Sequence, residues 1–193
     1  PRLVNVLEGL GHAHGAGLVH GDIKPANLLR NPYGQAVLAD FGIARRSSEA
    51  LRPSGTPKYI APELVRGAAV GPWTDLYSVC AMVWEWVTGT PPFVRGDVAA
   101  LLQAHRTDPL PPLAPRIPVP VDLEPWLRCG LQKAPVDRFG MAADALAALP
   151  PLAAPLRPIA PDGAVPAAYT GASLTLSLDL DFDAPISPDG PRF

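Results

Sequence analysis

At 193 residues and 20.3 kDa the chain can hold one domain of ordinary size, and a hydrophobic fraction of 48 % supplies a real core. A net charge of -2 argues against a nucleic-acid-binding surface. No signal peptide and no apolar run of about 18 residues is visible, so no membrane segment is expected in this chain and the cytoplasm is the default location. Cys80 and Cys129 are too few and too far apart for a disulfide framework or a metal site, and read as buried free thiols.

In chain order, the first helix is predicted over residues 3 to 16, where Leu3, Val6, Leu7, Leu10, Ala13 and His14 recur at helical spacing. Gly15 and Gly17 close it, and Leu18-Val19 leads into a loop. Residues 36 to 39 read as a short strand after the turn at Asn31-Pro32-Tyr33-Gly34, with Leu28-Leu29-Arg30 as its hairpin partner. Residues 43 to 62 carry little regular pattern. The strongest helix spans residues 73 to 88: Thr74 can cap it, Val79, Val83, Trp84 and Val87 fall at turn spacing, and Gly89 stops it. It is apolar on nearly every face, which marks a central buried helix.

Weaker helices are expected at about 96 to 105, 122 to 132 and 141 to 149, and the Pro-rich 106 to 121 connection as loop. Residues 150 to 168, rich in Pro and Ala, read as a linker or extended wrap. Residues 169 to 193 form a tail with one strongly alternating strand. Leu174, Leu176, Leu178, Leu180 and Phe182 share one face, and Asp179, Asp181 and Asp183 the other. A lone strand is not stable, so residues 174 to 182 are expected to dock, by preference on a second chain. Calcium binding is disfavoured, because alternate residues on a strand lie about 7 Å apart.

Chemistry concentrates in His20-Gly21-Asp22-Ile23-Lys24-Pro25-Ala26-Asn27, followed by Asp40-Phe41-Gly42. An acid, an amine and an amide share one short loop, and the hairpin returns a second acid beside the amide. That is the spacing of a phosphoryl-transfer site, with Asp22 to orient a hydroxyl, Lys24 to meet phosphate, and Asn27 and Asp40 as hard oxygen ligands for Mg²⁺. His20 reads as structural, its ring satisfying a backbone group near the loop. A second signal is Gly55-Thr56-Pro57-Lys58-Tyr59-Ile60-Ala61-Pro62-Glu63.

Together these segments, spread over residues 1 to 149, resemble the eukaryotic-type Ser/Thr protein kinases found in bacteria, and specifically the larger, helical lobe. The resemblance implies a mainly α fold: a kinase C-terminal lobe with a small β-hairpin, followed here by the extended tail strand. It implies ATP and Mg²⁺ as cofactors and a protein carrying Ser or Thr as substrate. Asp22, Lys24 and Thr56 would be the catalytic set, with Thr56 bonding Asp22 and Lys24. Asn27 and Asp40 would hold the metal, and Leu29 would lie beneath the adenine. Glu63 would form a buried pair with Arg138, and Asp75 would cap the central helix and bond back to the catalytic loop. Phe41, His20 and Asp75 would belong to the internal spine and its anchor.

The pattern is broken in three places. Gly21 stands where most of the family has a phosphate-reading arginine, which puts control by phosphorylation of Ser47, Ser48 or Thr56 in doubt. Cys80 replaces a glycine of the central helix. There is no Gly-x-Gly-x-x-Gly run, no Val-Ala-x-Lys strand and no helix with the partner glutamate. One wall of the nucleotide cleft is therefore missing from these residues, and the isolated chain is expected to bind ATP weakly or not at all. The expected function is a Ser/Thr protein kinase domain without its nucleotide-binding lobe. The alternative is a catalytically silent lobe used for protein interaction; a small-molecule phosphotransferase fits less well, because such enzymes lack the Thr56 loop and Ala61-Pro62-Glu63.

Overall fold

The computed structural model describes residues 2–33, 36–40, 45–46, 57–151 and 156–157. The elements are α1 (Arg2–Gly15), β1 (Leu18–Val19), a 3-10 turn (Pro25–Asn27), β2 (Leu28–Arg30), β3 (Ala36–Leu38), β4 (Arg45–Arg46) and another 3-10 turn (Pro57–Tyr59). They continue with α2 (Pro62–Arg66), α3 (Pro72–Thr88), α4 (Val98–Thr107), β5 (Val119–Pro120), α5 (Leu123–Gly130), a 3-10 turn (Pro135–Asp137), α6 (Ala142–Ala147) and β6 (Leu156–Arg157). The fold is mainly helical, as the sequence predicts. Its described strands pair as small antiparallel ribbons, β1 with β4, β2 with β3 and β5 with β6. The alternating segment 174 to 182 lies outside the described residues.

Helix α3 is the axis. Fourteen of its 17 residues are buried, so it has no polar face to turn to solvent and must be surrounded. α5 packs along it, while α1 packs on α6 and on β3 of the hairpin. The sequence places Thr74 at the cap of α3, but the structure puts it inside the first turn. Pro72 starts the helix instead, because its missing N–H is one the first turn leaves unbonded anyway. Thr74 Oγ1 accepts the Gly71 N–H at 3.1 Å and donates to Glu63 at 2.8 Å.

Other boundaries shift for local reasons. α4 begins later than the pattern suggests because the Asp97 carboxylate caps it, accepting from the Ala100 N–H at 2.8 Å. α5 and α6 are shorter than predicted. The Pro-rich connection expected as pure loop contains β5, and β6 falls within the Pro/Ala-rich stretch.

Cys80 is tolerated on α3 because a glycine faces it. A Cβ added at Gly130 would lie 2.2 Å from the Cys80 Sγ. Gly130→Ala is therefore expected to destabilise the lobe by about 1–3 kcal/mol through overpacking. Adding Cys80→Ala should return part of that loss, which denaturant melts of the two single variants and the double variant would measure.

The C-terminal end of α4 is held by cations from outside the helix. Lys133 Nζ donates to the carbonyls of Ala104 (3.0 Å) and His105 (2.8 Å), and Arg66 donates to that of Arg106 (3.0 Å). These satisfy carbonyls that the helix end leaves free and complement its dipole. Lys133 also lies 4.2 Å from the centroid of the Phe93 ring. His105 is fully buried, bonded through Nδ1 to the Tyr77 hydroxyl at 2.9 Å, with the Phe93 ring in a T-shaped contact at 5.1 Å between centroids.

Burial, and next the charge of Lys133, push the His105 imidazole down to about 4. Its folded-state value lies below the unfolded one, so its contribution to stability is complete above about 6.5 and is lost as pH falls toward about 4. Denaturant melts between those pH values should show a decline, up to about 3 kcal/mol from this group, that His105→Gln reduces.

Candidate active site

The loop from His20 to Asn27 hangs from α3. Asp75, 1 % exposed, accepts the His20 N–H at 2.9 Å and His14 Nε2–H at 2.8 Å on Oδ2, and the Gly21 N–H at 2.7 Å on Oδ1. It thus bonds back to the loop as the resemblance implies, but it is not the helix cap. Sequence periodicity placed His14 merely on the apolar face of α1. Its bond to Asp75 spans 61 residues, and no local pattern signals it. His20 Nδ1 accepts the Asp22 N–H at 3.3 Å, while Nε2–H donates to the Ala39 carbonyl at 3.1 Å. The ring is therefore the strut that its sequence context suggests, tying the loop to the far end of the hairpin.

Gly21 has φ 76. An arginine at this place would have to occupy that left-handed well, which glycine enters without strain.

Three of the proposed site residues meet on this loop. Lys24 Nζ lies 2.6 Å from Asp22 Oδ2. Asn27, buried, donates from Nδ2 to the Asp22 carbonyl at 2.8 Å and approaches Asp22 Oδ2 at 3.5 Å. The Asp22 side chain keeps 13 % exposure, so it is held yet still open to an incoming group. Both Asn27 contacts with Asp22 use Nδ2, which turns the amide oxygen, the atom a hard cation takes, to other use.

The hairpin brings in Asp40. Leu28 pairs with Leu38, and the Ala39 N–H donates to the Asn27 carbonyl at 2.8 Å, so the chain delivers Asp40 one residue beyond Asn27. Asp40 has φ 62 and is the one non-glycine residue with positive φ among the described residues. Such a conformation costs roughly 1–2 kcal/mol for most side chains and is best borne by Asp or Asn. Leu29, opposite Val37, is 55 % exposed and Val37 44 %, giving the hairpin an open apolar strip. Thr56, Phe41 and Gly42 lie outside the described residues.

Beyond Thr56 the chain is well anchored. Glu63 and Arg138 form the expected buried pair, Nη1 to Oε1 and Nη2 to Oε2 both at 2.9 Å, with side chains 2 % and 0 % exposed. The Tyr59 hydroxyl donates to Glu85 of α3, and Ser78 Oγ donates to the Tyr59 carbonyl at 2.8 Å. Burial, then the bond and charge of Glu85, push the Tyr59 phenol well above its ordinary value, so it stays a donor. Sequence reading passed over Glu85 and Ser78; both sit in the run that reads simply as central helix.

A loop carrying acid, amine and amide thus hangs on a buried helix, flanked by a hairpin acid. Residues 2–140 match the protein kinase domain family, and the chain belongs to it. The chain is 39 % identical over 168 residues to the serine/threonine-protein kinase PknL of Mycobacterium tuberculosis, covering 83 % of this chain and 40 % of that protein. It is 37 % identical over 167 residues to PknA of the same species, covering 80 % and 38 %. It is 32 % identical over 149 residues to PknB of Mycobacterium leprae, covering 74 % and 24 %. The chain is thus a bacterial eukaryotic-like Ser/Thr kinase domain with a mainly helical, C-lobe-like fold, and it spans at most about 40 % of the length of these relatives. No helix among the described residues is long and apolar enough to cross a membrane.

Proposed function

We propose that this chain is the helical lobe of a Ser/Thr protein kinase that transfers the ATP γ-phosphoryl group to a protein Ser or Thr hydroxyl, and that the 193 residues alone are inactive. The observation that carries the reading is the contact set of Asp22, Lys24 and Asn27 on one anchored loop, with Asp40 delivered beside it. Asp22 orients the acceptor hydroxyl and takes its proton as the new phosphorus–oxygen bond forms and ADP leaves. Lys24, held against Asp22, places a positive charge where the phosphoryl group moves. In this reading Thr56 bonds Asp22 and Lys24 and orders the substrate side, and Leu29 with its exposed apolar face carries the adenine.

In this reading Asn27 and Asp40 hold Mg²⁺, offering two hard oxygens at one end of the hairpin. Mg²⁺ is commonly held by one or two protein oxygens plus phosphate and water. When bound it neutralises phosphate charge.

Inactivity of the 193 residues follows from the missing Gly-rich loop and Ala-x-Lys strand. Phosphate transfer to a generic Ser/Thr substrate should be absent with this chain and present with the full-length protein. Robust turnover by the 193 residues would overturn the first half. No turnover by a full-length protein that binds ATP would favour a silent interaction lobe.

A further inference from the structure

We propose that the stretch after the last helix is a clasp, in which Leu156–Arg157 docks in cis as an added strand on the edge offered by Val119–Pro120. The family match ends at residue 140, yet the chain returns to the lobe past it: β6 pairs antiparallel with β5, Val119 opposite Arg157 and Pro120 opposite Leu156. The receiving edge is built into the core. Val119 is fully buried and Leu113 nearly so, and Pro115, Pro120 and Pro150 are buried with them.

The sequence prepares both partners for this contact. Val119 stands between Pro118 and Pro120, and Leu156-Arg157 between Pro155 and Pro158. A residue before proline is biased out of the helical region toward extended backbone, so Val119 and Arg157 are each predisposed to strand. Prolines carry no N–H, so Val119 and Arg157 are the opposed pair able to exchange two backbone bonds, and Pro118 and Pro158 stop the ladder from growing. The result is a short, self-limiting strand site in which the flanking prolines cap the ladder at two residue pairs.

The occupant is this chain's own segment because the reach is short. Five residue steps separate Pro151 from Leu156. At about 3.3–3.6 Å per residue they can span up to roughly 18 Å, and so short a tether gives an effective concentration in the millimolar range. The clasp pins the connection between α4 and α5.

The test uses the 193-residue chain carrying Cys129→Ser, Pro120→Cys and Leu156→Cys, oxidised at micromolar concentration. A cis clasp predicts a rapid intramolecular disulfide, seen by mass and by non-reducing gel as a monomer. A disulfide-linked dimer would replace the cis occupant by a second copy and overturn the proposal, as would failure of the two thiols to pair. Independently, ending the chain at Pro151 removes the Arg157 carbonyl that faces the Val119 N–H. Deuterium exchange at the Val119 amide should then quicken at least tenfold with α3 unchanged; an unaltered rate at Val119 would overturn the docking.

Discussion

Arg138→Ala should lower the stability of the lobe by about 3–5 kcal/mol, a large share of the 5–15 kcal/mol typical of a domain. Arg138 is used on every side. Besides the two bonds to Glu63, its Nε donates to the Gln132 carbonyl at 2.6 Å, and its Nη atoms reach the carbonyls of Trp73 (3.2 Å) and Lys133 (3.3 Å). Its guanidinium lies 4.8 Å from the centroid of the Tyr77 ring. Removing it leaves the Glu63 carboxylate, 2 % exposed, with the Thr74 hydroxyl as its remaining side-chain donor among the described residues.

Most of the loss is that stranded charge rather than the worth of the pair itself. Two companions separate the causes. Arg138→Lys keeps the charge but not the two-pronged geometry, and should fall between wild type and alanine. Replacing both partners, Glu63→Leu with Arg138→Met, should cost less than Arg138→Ala, because no unpaired charge remains. Denaturant melts followed by both circular dichroism and Trp fluorescence would measure all three. A loss near zero for Arg138→Ala would refute the pair as a structural anchor.

That pair shows how far the sequence could be read. Glu63 and Arg138 lie 75 residues apart, and only the family resemblance joins them on paper. The contacts of the Asp22 loop were legible because Asp22, Lys24 and Asn27 lie within six residues, and α3 because an unbroken apolar run has one home. Elements of two residues were not legible: β4, β5 and β6 are too short for a period-two pattern to register. α2 was missed although its ends are signalled, by Pro62 at its first position and Gly67 at φ 64 just past its last. The contacts of His14 with Asp75 and of Lys133 with the α4 carbonyls were beyond reach for another reason. They depend on how helices pack, and no pattern in the sequence joins one partner to the other.

On the proposed function, Asp22→Asn and Asp40→Asn should each cripple phosphoryl transfer by the full-length protein, and in distinguishable ways. Asparagine is the informative replacement at both places. At position 22 it keeps the shape that receives Lys24 and Asn27 but cannot take a proton. At position 40 it tolerates φ 62, so the backbone turn survives and only the charge is lost. Asp22→Asn should reduce kcat by roughly 10²–10⁴-fold, the range for losing a positioned general base, with no change in the Mg²⁺ concentration needed for half-maximal rate. Asp40→Asn should also reduce turnover, by on the order of 10³-fold if the lost ligand is worth about 4 kcal/mol, and it should raise the Mg²⁺ requirement. Thermal unfolding of both variants should match the wild type within about 1 kcal/mol, since neither side chain is buried core. Near-normal turnover in Asp40→Asn, or an unchanged Mg²⁺ requirement with turnover lost, would remove Asp40 from the metal site. A shifted Mg²⁺ requirement in Asp22→Asn would show that the two carboxylates share a role that the proposed mechanism keeps apart.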